Sequence, residues 1–196
     1  RGQLKNFDPR AFVSSAPAAE LNTRFSLKGQ RLPQLAGQLD FELASSTFEG
    51  KPLAGKGELR LDGSHLAHAD LALEIAGNRL SAKGRYGKPG DALDVHLDAP
   101  SLATLGHGLG GRLKLDGVLR GSVEHPAGEF ELLGEKLGFG SLRVDTVNGR
   151  GRLAEGRSGA IALTLGLTGL GRMDEKEALV RSASFVFDGS RAANTA

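Results

Sequence analysis

The sequence predicts an all-β protein, and three observations lead there. Polar and apolar residues alternate over long stretches. In Arg112–Val123, the residues Leu113, Leu115, Leu119 and Val123 fall on one side with Gly117 and Gly121 between them, while Arg112, Lys114, Asp116, Arg120 and Ser122 fall on the other. Successive side chains of a strand point to opposite faces, so such a run has one apolar side and one wet side. Helical periodicity is nearly absent. Glycine is abundant, at 29 residues, and Gly-rich or Asp-Gly breaks separate most of the alternating runs.

Taken in order, residues 1–24 are the least regular stretch, with Pro9, Pro17 and an Ala/Ser-rich segment. Short strands are expected at Phe25–Lys28 and Gln38–Leu43, then at Glu58–Leu61. Leu71–Ile75 runs into Gly77-Asn78, where the parity flips, and Leu80 and Ala82 then fall in step with Gly84 and Tyr86. Such a flip marks a tight hairpin. Gly87-Lys88-Pro89-Gly90 breaks the chain again before Leu93, Val95 and Leu97. Ser101–Leu105 fits one helical turn and Met173–Val180 a short helix, neither long enough to cover a sheet. Later strands are expected at Glu129–Leu133, Leu142–Asn148, Arg150–Ala154, Ala160–Thr168 and Ser184–Phe187. The expected division is an irregular N-terminal region with short strands (1–54), a repetitive strand segment (55–190) and a polar tail (191–196). Glu58-Leu59-Arg60-Leu61-Asp62-Gly63 matches Arg112-Leu113-Lys114-Leu115-Asp116-Gly117, and Ser184–Gly189 is a weaker copy. Their spacing is unequal, which fits a reused unit better than a strict solenoid.

Composition removes several functions. Hydrophobic residues make up 39%, which argues against global disorder. The 25 basic and 23 acidic residues nearly balance, and no basic run interleaves with aromatics, which argues against nucleic acid. There is no cysteine, so disulfides and Cys-based zinc sites are excluded. No stretch nears the roughly 20 apolar residues of a membrane-spanning helix. A membrane barrel needs aromatic girdles, and the chain has one Tyr and no Trp. His65 and His68 lack a third ligand nearby, and each of the five histidines, with His96, His107 and His125, reads as a surface residue. Gly106–Gly111 satisfies G-x-G-x-x-G, but an alternating strand follows where a dinucleotide site needs a helix. No catalytic residue, metal or cofactor is therefore expected, and the chain is not expected to be an enzyme.

The remaining question is what covers the apolar side. Periodicity alone leaves two answers: a filled core, as in a structural β-sandwich or repeat spacer of a secreted or surface protein, or a groove that holds an apolar ligand. If it is a groove, the expected lining is Leu59 and Leu61, then Leu71, Leu73 and Ile75, then Leu93, Val95 and Leu97, then Leu113, Leu115 and Leu119, and last Leu163, Leu165 and Leu167. The open edges of such a sheet would present unpaired backbone groups and favour an edge-to-edge dimer.

A family resemblance favours the groove. Asn78-Arg79-Leu80-Ser81-Ala82-Lys83-Gly84, the strand Leu93–Leu97 and the turn Leu102–Leu105 resemble the repeating units of the TamB family of translocation and assembly proteins, within the wider AsmA-like lipid-transfer group. So do the restart Gly111-Arg112-Leu113 to Gly117-Val118-Leu119-Arg120-Gly121 and the His125-Pro126 that follows it. The resemblance covers roughly residues 55–190 and is similar to an internal β-repeat segment. It implies a long antiparallel-rich sheet folded into a U-shaped, taco-like groove with an apolar interior. It also implies a periplasmic segment of an envelope-spanning protein anchored in the inner membrane. The implied work is phospholipid transport, outer-membrane protein (autotransporter) assembly and secretion, or both. The implied partners are an outer-membrane barrel insertase and, as cargo, phospholipid acyl chains or unfolded outer-membrane protein strands.

Overall fold

In the computed structural model, which describes residues 1–11, 13, 15–30, 36–154, 159–175 and 177–190, the chain is a single open sheet. Its strands are β1 (Gly2–Phe7), β2 (Ala19–Gln30), β3 (Ala36–Phe48), β4 (Lys51–Asp62), β5 (His65–Ile75) and β6 (Asn78–Tyr86), followed by β7 (Ala92–Ala99), β8 (Leu109–Gly121), β9 (Pro126–Phe139), β10 (Leu142–Leu153), β11 (Ala160–Arg172) and β12 (Ala178–Ser190). They lie side by side in chain order, and every neighbouring pair is antiparallel. β1 and β12 are the two edges, so the sheet does not close into a barrel. This is the all-β, curved and groove-like class that the alternation and the resemblance predict.

Turn chemistry sets this order. Glu49-Gly50 (φ 49° and 74°) and Ala76-Gly77 (φ 50° and 84°) are two-residue loops with both residues left-handed. That geometry matches the twist of the flanking strands and returns the chain antiparallel to its neighbour. The parity flip expected at Gly77-Asn78 is the second of these hairpins. Asn78, only 7% exposed, braces it. Its side-chain amide donates to the Ile75 carbonyl (3.1 Å) and to Thr104 Oγ1 (3.0 Å), and its Oδ1 accepts from the Ser101 backbone N–H (3.3 Å). Thr104 lies in the 3-10 turn Leu102–Leu105, the helical turn expected after Pro100.

A single sheet has no second layer to close a core. No large side chain is fully buried among the described residues, and the buried apolar set is Ala19, Leu53, Ala69, Leu93, Ala99 and Ala127. The filled-core sandwich therefore does not hold: it needs two sheets, and these strands form one.

Several elements differ from the expectation. The strands expected at Phe25–Lys28 and Gln38–Leu43 extend to β2 and β3, of 12 and 13 residues, and with β1 they join the same sheet, so the described part of residues 1–54 is more regular than expected. Pairing on both sides keeps a strand extended through residues whose own pattern is weak. For the same reason Gly149 does not split β10, which pairs continuously with β9 and β11 where two strands were expected. The Met173–Val180 helix is absent: Met173 and Asp174 form a turn, and Ala178–Val180 opens β12. The expected tail at 191–196 lies outside the described residues.

Candidate functional site

The candidate site is the apolar face, and register assembles it. In antiparallel pairing, residues directly opposite each other share a face. Gly2, Phe25, Phe41, Gly57, Leu71 and Ala82 stand side by side on β1–β6, and Val95, Gly117, Phe130, Gly151, Leu163 and Phe187 continue the line to β12. One step along the strands, a second line runs from Leu4 through Leu43, Leu73, Leu97, Leu115 and Leu165 to Phe185. A third, on the other side of the first, runs from Leu27 and Leu39 through Leu59, Leu93 and Leu119 to Ile161. Each line crosses the strands at right angles and is apolar or glycine along most of its length.

All of the expected lining residues fall on this one face. Leu59, Leu71, Leu73, Leu93, Val95, Leu97, Leu115, Leu119, Leu163 and Leu165 lie in the three lines. Leu61 pairs with Gly37 and Leu66, and Ile75 pairs with Leu53, at the strand ends. Leu113 stands between Ala99 and Gly134, and Leu167 between Val147 and Ala183. Leu93 is 8% exposed, Leu61 43% and Leu119 45%, while the rest are half-buried. Phe25, Phe41, Phe130 and Leu132 share this face beyond the expected set. They carry the same alternation, as in Glu129-Phe130-Glu131-Leu132.

The opposite face is charged and self-neutralising. Lys83–Asp70 (3.0 Å), Arg112–Glu135 (3.0 Å) and Arg120–Glu129 (2.9 Å) pair across neighbouring strands. All are exposed, so each contributes little to stability. A cleft of about 830 Å³ is bordered by Arg24, Glu42, Lys56 and Glu58 of this face. Phe25, Phe41 and Gly57 of the first line also border it. His96 Nδ1 lies 2.6 Å from Asp116 Oδ1 on the same wet face, as a surface histidine would. His65 departs from that expectation: its side chain is 13% exposed, with Nε2 2.9 Å from Asp91 Oδ2. Asp91 also accepts the Lys88 backbone N–H (3.0 Å), which locks the β6–β7 loop to the start of β5. At the other end of the chain, Arg10 hydrogen bonds to the Asp8 carboxylate and holds its pKa below the ordinary value. Among the described residues, no three His, Asp or Glu side chains gather into a metal site.

The glycines of the repeat carry its geometry. Gly111 (φ 87°) lies at the register shift between β8 and β9, and Gly84 (φ 135°) packs against the Ala92 carbonyl. The chain matches the family model described as TamB, N-terminal domain, over residues 2–194. The chain belongs to the TamB family. The match takes in residues 2–54, as the continuous sheet does, and so extends the resemblance beyond residues 55–190. No curated protein matches the chain, and no solved structure does. TamB membership gives a role in outer-membrane biogenesis and envelope protein or lipid transport, alongside an outer-membrane partner. Among the described residues, no helix is long and apolar enough to cross a membrane.

Proposed function

We propose that this TamB segment is a passive apolar conduit in the periplasm that carries phospholipid acyl chains along its uncovered face, with no catalytic step. The observation that carries the reading is the continuity of the apolar lines from one edge of the sheet to the other without a layer above them. Strands spaced ~4.8 Å apart give a track on the order of 50 Å long. Burying a methylene is worth about 0.8 kcal/mol, and a chain lying on one wall gains about half of that. Holding then depends on length alone, with no polar contact to break as the chain moves. Leucine suits such a wall, and Ile75 and Ile161 are the chain's only isoleucines.

On this reading the full-length protein is anchored in the inner membrane and delivers to an outer-membrane barrel partner through regions outside this chain. Unfolded barrel strands are the competing cargo. The β12 edge, with Val186 68% exposed, lets isolated copies pair edge to edge.

The test places a photo-crosslinking side chain at Leu97, Leu115 or Leu163 and, as a control, at Lys114 on the wet face. The protein is incubated with vesicles of phosphatidylethanolamine and phosphatidylglycerol, or with an unfolded outer-membrane barrel protein. Lipid adducts at the leucine positions and none at Lys114 support the conduit. Equal labelling of both faces overturns it, and adducts with the barrel protein alone assign the face to protein cargo.

A further inference from the structure

Bulky side chains on the apolar face lie down on glycines of the neighbouring strand. A Cβ on Gly57 would stand 2.7 Å from Cε1 of Phe41 and 3.0 Å from Cδ1 of Leu71. A Cβ on Gly151 would stand 2.8 Å from Cζ of Phe130. Neither glycine has a positive φ, so backbone freedom does not account for glycine there. The space does: each ring occupies the volume a side chain would fill. Phe130 is 38% exposed, so one side of the ring rests on the sheet while the rest meets the open face. Both glycines lie in the same transverse line as their rings, Gly57 towards one end of the sheet and Gly151 towards the other.

We propose that Gly57 and Gly151 are positioning residues that set the depth of the track. Each lets a phenyl ring lie flat as floor, leaving an unobstructed path for an alkyl chain over its outer side. A methyl at either position cannot coexist with the flat ring, because real Cβ atoms do not approach a carbon within 3.0 Å. The ring then turns upward about its side-chain torsions, the softest coordinate available, and stands in the path. This rests on the acyl-chain reading above.

The test uses the full chain with the photo-crosslinker at Leu163, which pairs with Gly151 in register, and the same phospholipid vesicles. Gly151→Ala is expected to lower lipid adducts about fourfold, the cost of losing roughly two methylenes of one-wall apolar contact. Adding Phe130→Ala to that variant is expected to restore labelling to the level of Phe130→Ala alone, since the obstructing ring is gone. A merely structural role for Gly151 would not give that rescue. If Gly151→Ala does not fold, Gly57→Ala with and without Phe41→Ala, read at Leu71, carries the same test. Wild-type labelling with an unaffected Gly151→Ala, or a folded double variant that stays unlabelled, overturns the depth-setting role and leaves the conduit standing. Absence of adducts in the wild type overturns the conduit, and this role with it.

Discussion

Replacing Leu115 by arginine separates an open track from a filled core. Leu115 stands in register between Leu97 and Leu132, and all three are half-buried. In a filled core the guanidinium would lose water and gain no partner, at a cost of about 3–5 kcal/mol. That consumes most of the stability of an ordinary domain, about 5–15 kcal/mol. On an uncovered face the side chain lies along its neighbours and keeps its charge in water. The loss is then part of one leucine's burial, about 1 kcal/mol. The same charge obstructs transport, because an alkyl chain crossing it must strip water from the guanidinium. Desolvation costs several kcal/mol, against a gain of roughly 0.4 per methylene on one wall. Urea unfolding is therefore expected to stay cooperative, with an unchanged slope and a midpoint shift worth about 1 kcal/mol. Lipid adducts at Leu132 are expected to fall by more than about tenfold. Leu163→Asp should act alike on β11. A Leu115→Arg protein that folds and labels with lipid like the wild type refutes the track. One that loses the full core penalty refutes the open face.

Three further outcomes follow from particular contacts. Gly84→Ala places a Cβ 3.0 Å from the Leu93 Cα and closer still to the Ala92 carbonyl, at a φ of 135°. It should cost about 2 kcal/mol or more in urea unfolding, and a neutral result would contradict the β6–β7 geometry. Asp91→Asn keeps the shape of the side chain but weakens the bonds from His65 Nε2 and the Lys88 N–H. A loss of about 1–2 kcal/mol is expected, and an unchanged midpoint would mean that the loop is held otherwise. Val186→Lys puts a charge on the β12 edge. Sedimentation velocity should then find monomer at concentrations where the wild type self-associates, and a persistent dimer would move the interface elsewhere.

Alternation made the face legible but not the strand lengths. Leu113, Leu115 and Leu119 could be assigned to one side from sequence alone, because a period of two fixes the side whatever the strand pairs with. Strand ends depend on the neighbours. Gly149 looks like a break in isolation, yet β9 and β11 hold it extended between Leu132 and Leu165. Phe25 and Phe41 lie inside the expected strands Phe25–Lys28 and Gln38–Leu43, and it is the register that sets them beside Gly57 and Leu71. His65 was illegible for another reason. Its partner Asp91 lies 26 residues away in a loop, and only the return of β6 and β7 brings the two together. The absence of a second layer was equally out of reach, since a strand of a sandwich and a strand of an open sheet carry the same alternation.

The open face also limits what the track can do unaided. In a bilayer a methylene is surrounded by hydrocarbon and gains the full ~0.8 kcal/mol relative to water, whereas on one wall it gains about half. For a chain of about fifteen methylenes the shortfall is on the order of 6 kcal/mol. Such a track binds a lipid more weakly than the membrane it leaves, yet far better than water does. It therefore lowers the barrier between two membranes without storing cargo, and it gives no direction of its own. Net movement must come from supply at one end and removal at the other. A second wall facing this one would erase most of the shortfall, and with it the ease of release. The lines of Leu, Phe and Gly across twelve strands thus suit a lipid in transit better than a lipid held.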